Sequence, residues 1–221
     1  PCSMLGLAAC ATLAVAAIGL LGLPASATPL YEQAPNSGAS SSVESDLWIS
    51  YYADAFTIGD AGELDRVITS LEWWGEQTNP PTDGFDYTIR FFDEEAGKPG
   101  SIIAGFTDTV TPNGGDHFGW TLPGEGLRVD AGANYFLSIA ADASVVARED
   151  FRWRHSNTSG SGSSWQFNEA SGTVGSWTDN GTPANLAFRL NGRVVPEPAT
   201  MTLLGIGLAG LGIRRWRGAR G

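Results

Sequence analysis

His117 and His155 are the only histidines in the 221 residues, and neither has a recognisable catalytic partner in sequence. No Gly-x-Ser-x-Gly elbow, His-Glu-x-x-His pair or glycine-rich phosphate loop accompanies them. Acids are plentiful. Asp60, Glu63 and Asp65 lie close together, as do Asp93, Glu94 and Glu95. Calcium takes about six to eight oxygen ligands, often from loops, so Asp60, Glu63 and Asp65 are the candidate set for a Ca2+ ion. Their spacing is not that of an EF-hand, and a solvated acidic loop is the more common explanation of such a group. A glycoside hydrolase needs two facing carboxylates, and so many acids single out no pair.

Tryptophan is the more distinctive resource. Seven of the eight, Trp48, Trp73, Trp74, Trp120, Trp153, Trp165 and Trp177, lie between the two apolar ends of the chain. An exposed indole stacks on the apolar face of a sugar ring, whereas most tryptophans are largely buried. Trp73 and Trp74 are adjacent and must face opposite sides of a strand. Trp165 and Trp177 flank a Gly/Ser/Asn-rich region of loop character, where binding residues gather. These four are the candidate sugar-stacking residues.

Composition narrows the partners. The formal charge is −11, from 24 acids and 13 bases. Without Glu197, Arg214, Arg215, Arg217 and Arg220 of the C-terminal tail, 23 acids face 9 bases, a balance of −14. Such a surface repels nucleic acid and anionic headgroups and favours solubility. Cys2 and Cys10 both fall in the N-terminal apolar segment, so the remainder has no disulfide, thiol nucleophile or thiolate metal site.

Both ends read as processing segments. Residues 5–23 are an Ala/Leu/Gly-rich apolar run ending at Pro24-Ala25-Ser26-Ala27, so 1–27 is a signal peptide cleaved after Ala27 by the Sec pathway. No Lys or Arg precedes the run and the chain opens on Pro1, as expected where a basic leader lies upstream. Leu7-Ala8-Ala9-Cys10 spells a lipobox, but the hydrophobic stretch follows it, the reverse of a lipoprotein signal. At the other end, Pro196-Glu197-Pro198 is followed by an apolar run over 201–213 and then by Arg214-Arg215-Trp216-Arg217. Proline holds the tripeptide extended. The apolar run forms a short transmembrane helix, below the usual span of about 20 residues. Arg214, Arg215 and Arg217 form the cytoplasmic stop. The ordered trio over 195–221 resembles the PEP-CTERM sorting signal. That resemblance implies an exosortase as partner, transient anchoring in the inner membrane, processing near Pro196-Glu197-Pro198, and release into the envelope or the extracellular polysaccharide layer.

Between the ends, 28–45 reads as a flexible Pro/Ser/Gly/Ala leader and 46–194 as one domain. Alternation puts Tyr87, Ile89 and Phe91 on one face, as it does Tyr135, Leu137 and Ile139, and Leu186, Phe188 and Leu190. Further strands are expected over 47–56, 66–74, 102–110, 118–122 and 151–154. The linkers are turn-like, among them Gly97-Lys98-Pro99-Gly100 and Pro112-Asn113-Gly114-Gly115. The expected fold is all-β, an antiparallel sandwich of jelly-roll type flanked by the signal helix and the transmembrane helix. The order of Asp54-Ala55-Phe56, Leu71-Glu72-Trp73-Trp74-Gly75, Ile89-Arg90-Phe91-Phe92-Asp93 and the strand around Tyr135 is similar to a β-sandwich module of PEP-CTERM proteins. That likeness implies a fold and a location, and no activity. Three readings of function follow, in this order: a non-enzymatic surface or biofilm-matrix protein of structural or adhesive role, a carbohydrate-binding module, and a hydrolase.

Overall fold

The computed structural model describes residues 27–36, 42–45, 50–78, 85–142, 150–156, 164–168, 176–179, 185–195, 205 and 207. Fourteen strands are present in them. The first seven are β1 (Thr28–Gln33), β2 (Ser42–Glu44), β3 (Ser50–Thr57), β4 (Arg66–Thr78), β5 (Phe85–Glu95), β6 (Lys98–Val110) and β7 (Pro112–Gly114). The rest are β8 (His117–Thr121), β9 (Leu127–Val129), β10 (Asn134–Ala141), β11 (Asp150–Arg154), β12 (Trp165–Asn168), β13 (Trp177–Asp179) and β14 (Phe188–Val194).

They form two antiparallel sheets packed as a sandwich. One has the order β1-β14-β4-β11-β2, with β8 and β9 also on β4 and β7 on β8; the other runs β13-β12-β3-β10-β5-β6. The period-two pattern sets which faces meet. Tyr87, Ile89 and Phe91 from β5, Leu137 and Ile139 from β10, and Phe188 and Leu190 from β14 are buried in one continuous core, and Tyr135 packs at its margin. Beside β14 in the eight-stranded sheet, and opposite β5 and β10, β4 contributes Ile68, Leu71 and Trp73, and β11 contributes Phe151 and Trp153. Rings dominate this interior. Trp73 stacks on Phe118 at 5.3 Å and meets Tyr87 edge-on at 5.3 Å. Trp153 donates its indole N–H to the Ala187 carbonyl at 3.0 Å.

Three expectations change. The segment 28–45 is not simply a flexible leader: β1 pairs along β14, β2 pairs along β11, and Gln33 and Ser45 are buried. Ser45 Oγ donates to the Ile139 carbonyl at 2.6 Å, fixing this segment to β10. The turn expected at 97–100 is centred two residues earlier. Ala96 and Gly97 have φ of 55° and 80°, the two positive values of a tight hairpin, and Lys98 already belongs to β6. Third, β4 extends four residues past Trp74. The expected signal helix (1–27, save Ala27) and most of the transmembrane helix (201–213) lie outside the described residues. No helix among the described residues is long and apolar enough to cross a membrane.

The two ends of the sandwich emerge together. Thr28 opens β1 opposite Gly192 of β14, and the Val195 N–H donates to the Asp65 carbonyl at 2.8 Å.

Candidate functional site

Alternation along β4 turns Leu71 and Trp73 inward and Glu72, Trp74 and Glu76 outward. Trp73 is fully buried, so its candidate role in sugar stacking is corrected: both its faces belong to the core. Trp74 is half-buried on the outer face. There it stacks on the His117 ring at 5.0 Å and 13°, and the Arg189 guanidinium sits 5.7 Å from its ring centroid. His117 reaches it from β8 and Arg189 from β14, the strands on either flank of β4. Its ring is therefore already engaged by two side chains.

Glu72 is the hub of this outer face. Asn191 Nδ2 donates to its Oε1 at 2.9 Å, while Oε2 lies 3.0 Å from His117 Nε2 and 3.4 Å from Arg189. Arg189 also binds Glu32 of β1 at 2.6 Å. Partial burial pushes the Glu72 pKa up, but the bonds from Asn191 and His117 and the Arg189 charge outweigh it and hold it below the usual range. Below Trp74, Arg154 ties Glu76 at 3.2 Å and also pairs with Asp116. An ionised carboxylate with its lone pairs occupied is an anchor for cross-strand order and a poor general acid.

The strongly perturbed acid is elsewhere. Asp54 shares the phase of Tyr52 and Phe56 on β3, which points it into the sandwich, and it is fully buried. Its carboxylate accepts from the Leu186 N–H at 2.5 Å and the Ala55 N–H at 2.9 Å. With its amide nitrogen turned inward, Gln33 donates to Asp54 Oδ2 at 2.9 Å and to the Leu186 carbonyl at 2.7 Å. Desolvation raises the Asp54 pKa to about 7 against the lowering effect of the two backbone bonds. Asp54 thus joins β1, β3 and the approach to β14. With no surface, it touches no substrate.

The outer face of the six-stranded sheet carries a second aromatic cluster. Ala53, Phe92 and Phe136 are buried there beneath Trp165 and Trp177. Trp177 meets Tyr51, Phe92 and Phe167 at 5.6, 5.3 and 5.2 Å, mostly edge-on. Tyr51 stacks on Phe167 at 4.9 Å, and the Arg90 guanidinium lies 5.0 Å from the Tyr51 ring. Trp165 and Trp177 are half-buried, so each keeps part of its indole at the surface.

The acidic loop does not assemble as a ligand set. Asp60 is exposed, Glu63 pairs with Arg66 at 2.8 Å, and Asp65 accepts from Arg128 Nε at 3.0 Å. No group of three or more His, Cys, Asp or Glu among the described residues is placed to hold a metal ion.

Past Val195 the chain continues into the segment that holds Pro196, Glu197, Pro198, Arg214, Arg215 and Arg217, all outside the described residues. Residues 194–217 match the PEP-CTERM protein-sorting motif. The chain carries a PEP-CTERM sorting signal. The motif marks an exported protein, sorted to the cell surface and processed by an exosortase. The match is confined to the sorting segment and identifies no ligand for the sandwich. No curated protein matches the chain. The PEP-CTERM motif begins at Val194, the last residue of β14, so the sorting signal abuts the folded sandwich directly.

Proposed function

We propose that the sandwich is a non-catalytic structural or adhesive module of the extracellular polysaccharide or biofilm matrix. Sec delivers it through residues 1–27, the apolar run over 201–213 holds it in the inner membrane, and an exosortase releases it near Pro196-Glu197-Pro198. The observation that carries the reading is the sorting motif at 194–217, which directs the attached sandwich to the surface. Two of the inward or clustered acids have structural partners: Glu72 is held by three donors and Asp54 is buried in the core. Calcium has no part in this reading, because Glu63 and Asp65 are neutralised by arginines.

A narrower second reading is contact with matrix sugars through Trp165 and Trp177. Their half-exposed rings beside Arg90 and Tyr51 support it. Trp73 is removed from that reading by its burial and Trp74 by its two stacking partners.

The test compares the whole chain with a variant whose Pro196, Glu197 and Pro198 are all alanine, by cell fractionation and the mass of the released chain. The wild type is expected to be shortened near Pro198 and released, and the variant to stay in the membrane at full length. Two full-length membrane-bound chains would make the tail an ordinary anchor and remove the matrix role.

A further inference from the structure

In a chain with 24 acids, a half-buried arginine is expected to find a carboxylate. Arg66 pairs with Glu63, Arg154 with Glu76 and Asp116, and Arg189 with Glu32 and Glu72. Arg90 is the exception. It is half-buried on β5, and among the described residues it has neither a carboxylate nor a hydrogen-bond partner. Its guanidinium lies over the Tyr51 ring instead, 5.0 Å from the centroid. A guanidinium resting on a ring keeps its N–H donors open at the edge, in the planar fork that matches a carboxylate.

The face that Arg90 shares is concave. Ile89 and Phe91 point into the core, so Arg90 turns outward, toward the cluster of Trp165 and Trp177. Trp177 of β13 meets Phe92 of β5 at 5.3 Å although three strands lie between them. On a flat sheet four spacings of about 4.8 Å would hold the two backbones roughly 19 Å apart with their side chains parallel, so the sheet curls toward this face. Small residues, Ala53, Ser138 and Ala140, form its buried floor. Acids stay at its margins. On β5 alternation brings Asp86 and Glu94 to this side, each four residues from Arg90 and so roughly 13 Å away. Asp86 accepts from Thr109 and Glu94 from the Gly97 N–H. Asp179 lies on β13, at the far edge of the sheet.

We propose that this concave face binds a carboxylate-bearing polysaccharide, a chain of uronic acids, whose sugar rings stack on Trp177 and Trp165 and whose carboxylate is held by Arg90. The inference rests on the reading of this face as a sugar contact and adds the class of sugar. Charge complementarity selects the class. A neutral sugar would use the indoles and leave the guanidinium half-desolvated and unmatched, whereas a uronate satisfies both. Tyr51 sets the spacing: the guanidinium lies 5.0 Å from its ring and Trp177 meets it at 5.6 Å, so an acidic sugar on the indole has its carboxylate directed along the same face. The chain as a whole is at −11 and repels a polyanion at long range. At about 0.15 M salt charges more than roughly 8 Å away are largely screened, and the local pair at Arg90 decides.

The test measures binding of the whole chain, in mild detergent at that salt, to immobilised polygalacturonate, its fully methyl-esterified form, alginate and dextran. Wild type is expected to bind polygalacturonate or alginate at least about tenfold tighter than the ester or dextran, the worth of one charge-assisted contact. Arg90→Gln is expected to abolish that preference with the β-sheet circular dichroism unchanged, and Arg90→Lys to restore part of it. Arg152→Gln, which removes the same charge from the other sheet, is expected to keep it. Trp177→Ala is expected to weaken binding to every polymer that wild type holds. Equal binding to acidic and neutral polymers overturns the inference and leaves the sugar contact standing, as does a preference that survives Arg90→Gln or is lost equally in Arg152→Gln. Binding to none of the four polymers overturns the inference together with the sugar contact.

Discussion

Replacing Asp54 with asparagine keeps the side-chain volume and removes the ionisable group from the centre of the sandwich. In the folded chain desolvation raises that carboxyl from 3.8 to about 7, so between those values the native state holds a proton that the unfolded chain has released. Stability therefore falls as pH rises through this window. The contribution is fully present below about pH 4, is lost through about pH 7, and is constant above it. With 1.36 kcal/mol for each pKa unit, the change across the window is about 4 kcal/mol. Other groups titrate too, Glu72 with the opposite sign, so the quantity to measure is the difference between wild type and Asp54→Asn. Urea unfolding of both chains at intervals from pH 4 to pH 8 is expected to show wild type losing about 4 kcal/mol relative to the variant over that range. A difference independent of pH would refute the reasoning. It would mean that the bonds from Leu186, Ala55 and Gln33 keep Asp54 ionised in the fold despite its burial.

Two further outcomes test the packing. Trp73→Ala removes a fully buried indole that stacks on Phe118 and meets Tyr87 edge-on, and should cost about 3–5 kcal/mol in urea unfolding, with loss of near-ultraviolet circular dichroism. Tyr31→Ala, on β1, strips the ring that meets Phe188 at 5.4 Å and Phe56 at 6.0 Å and should cost about 2 kcal/mol, whereas a truly flexible leader would register no change.

The sandwich was legible where the pattern was local. Tyr87, Ile89 and Phe91 alternate within one strand, and burial follows the alternation. The segment 28–45 was not legible because its partners are remote. β1 is a short run in a Pro/Ser/Gly/Ala-rich stretch, and it becomes a strand by pairing with β14, roughly 160 residues away in sequence. Adjacency told that Trp73 and Trp74 point apart; only the pairing of β4 with β8 and β14 decided which one the core took. For Asp54 a signal did exist, since it shares the core-facing phase of Tyr52 and Phe56, but an isolated acid among so many reads as surface. Glu63 and Arg66 stand three apart in sequence, close enough to anticipate their ion pair; the Asp65–Arg128 contact depends on β4 meeting β9.

The direct junction between β14 and the sorting segment has a mechanical consequence. Load drawn on a tether at Val195 enters the sheet along β14, which lies between β1 and β4 rather than at an edge. Peeling would break ladder bonds one at a time. A pull along the axis of β14 instead strains the hydrogen bonds on both flanks together, in shear.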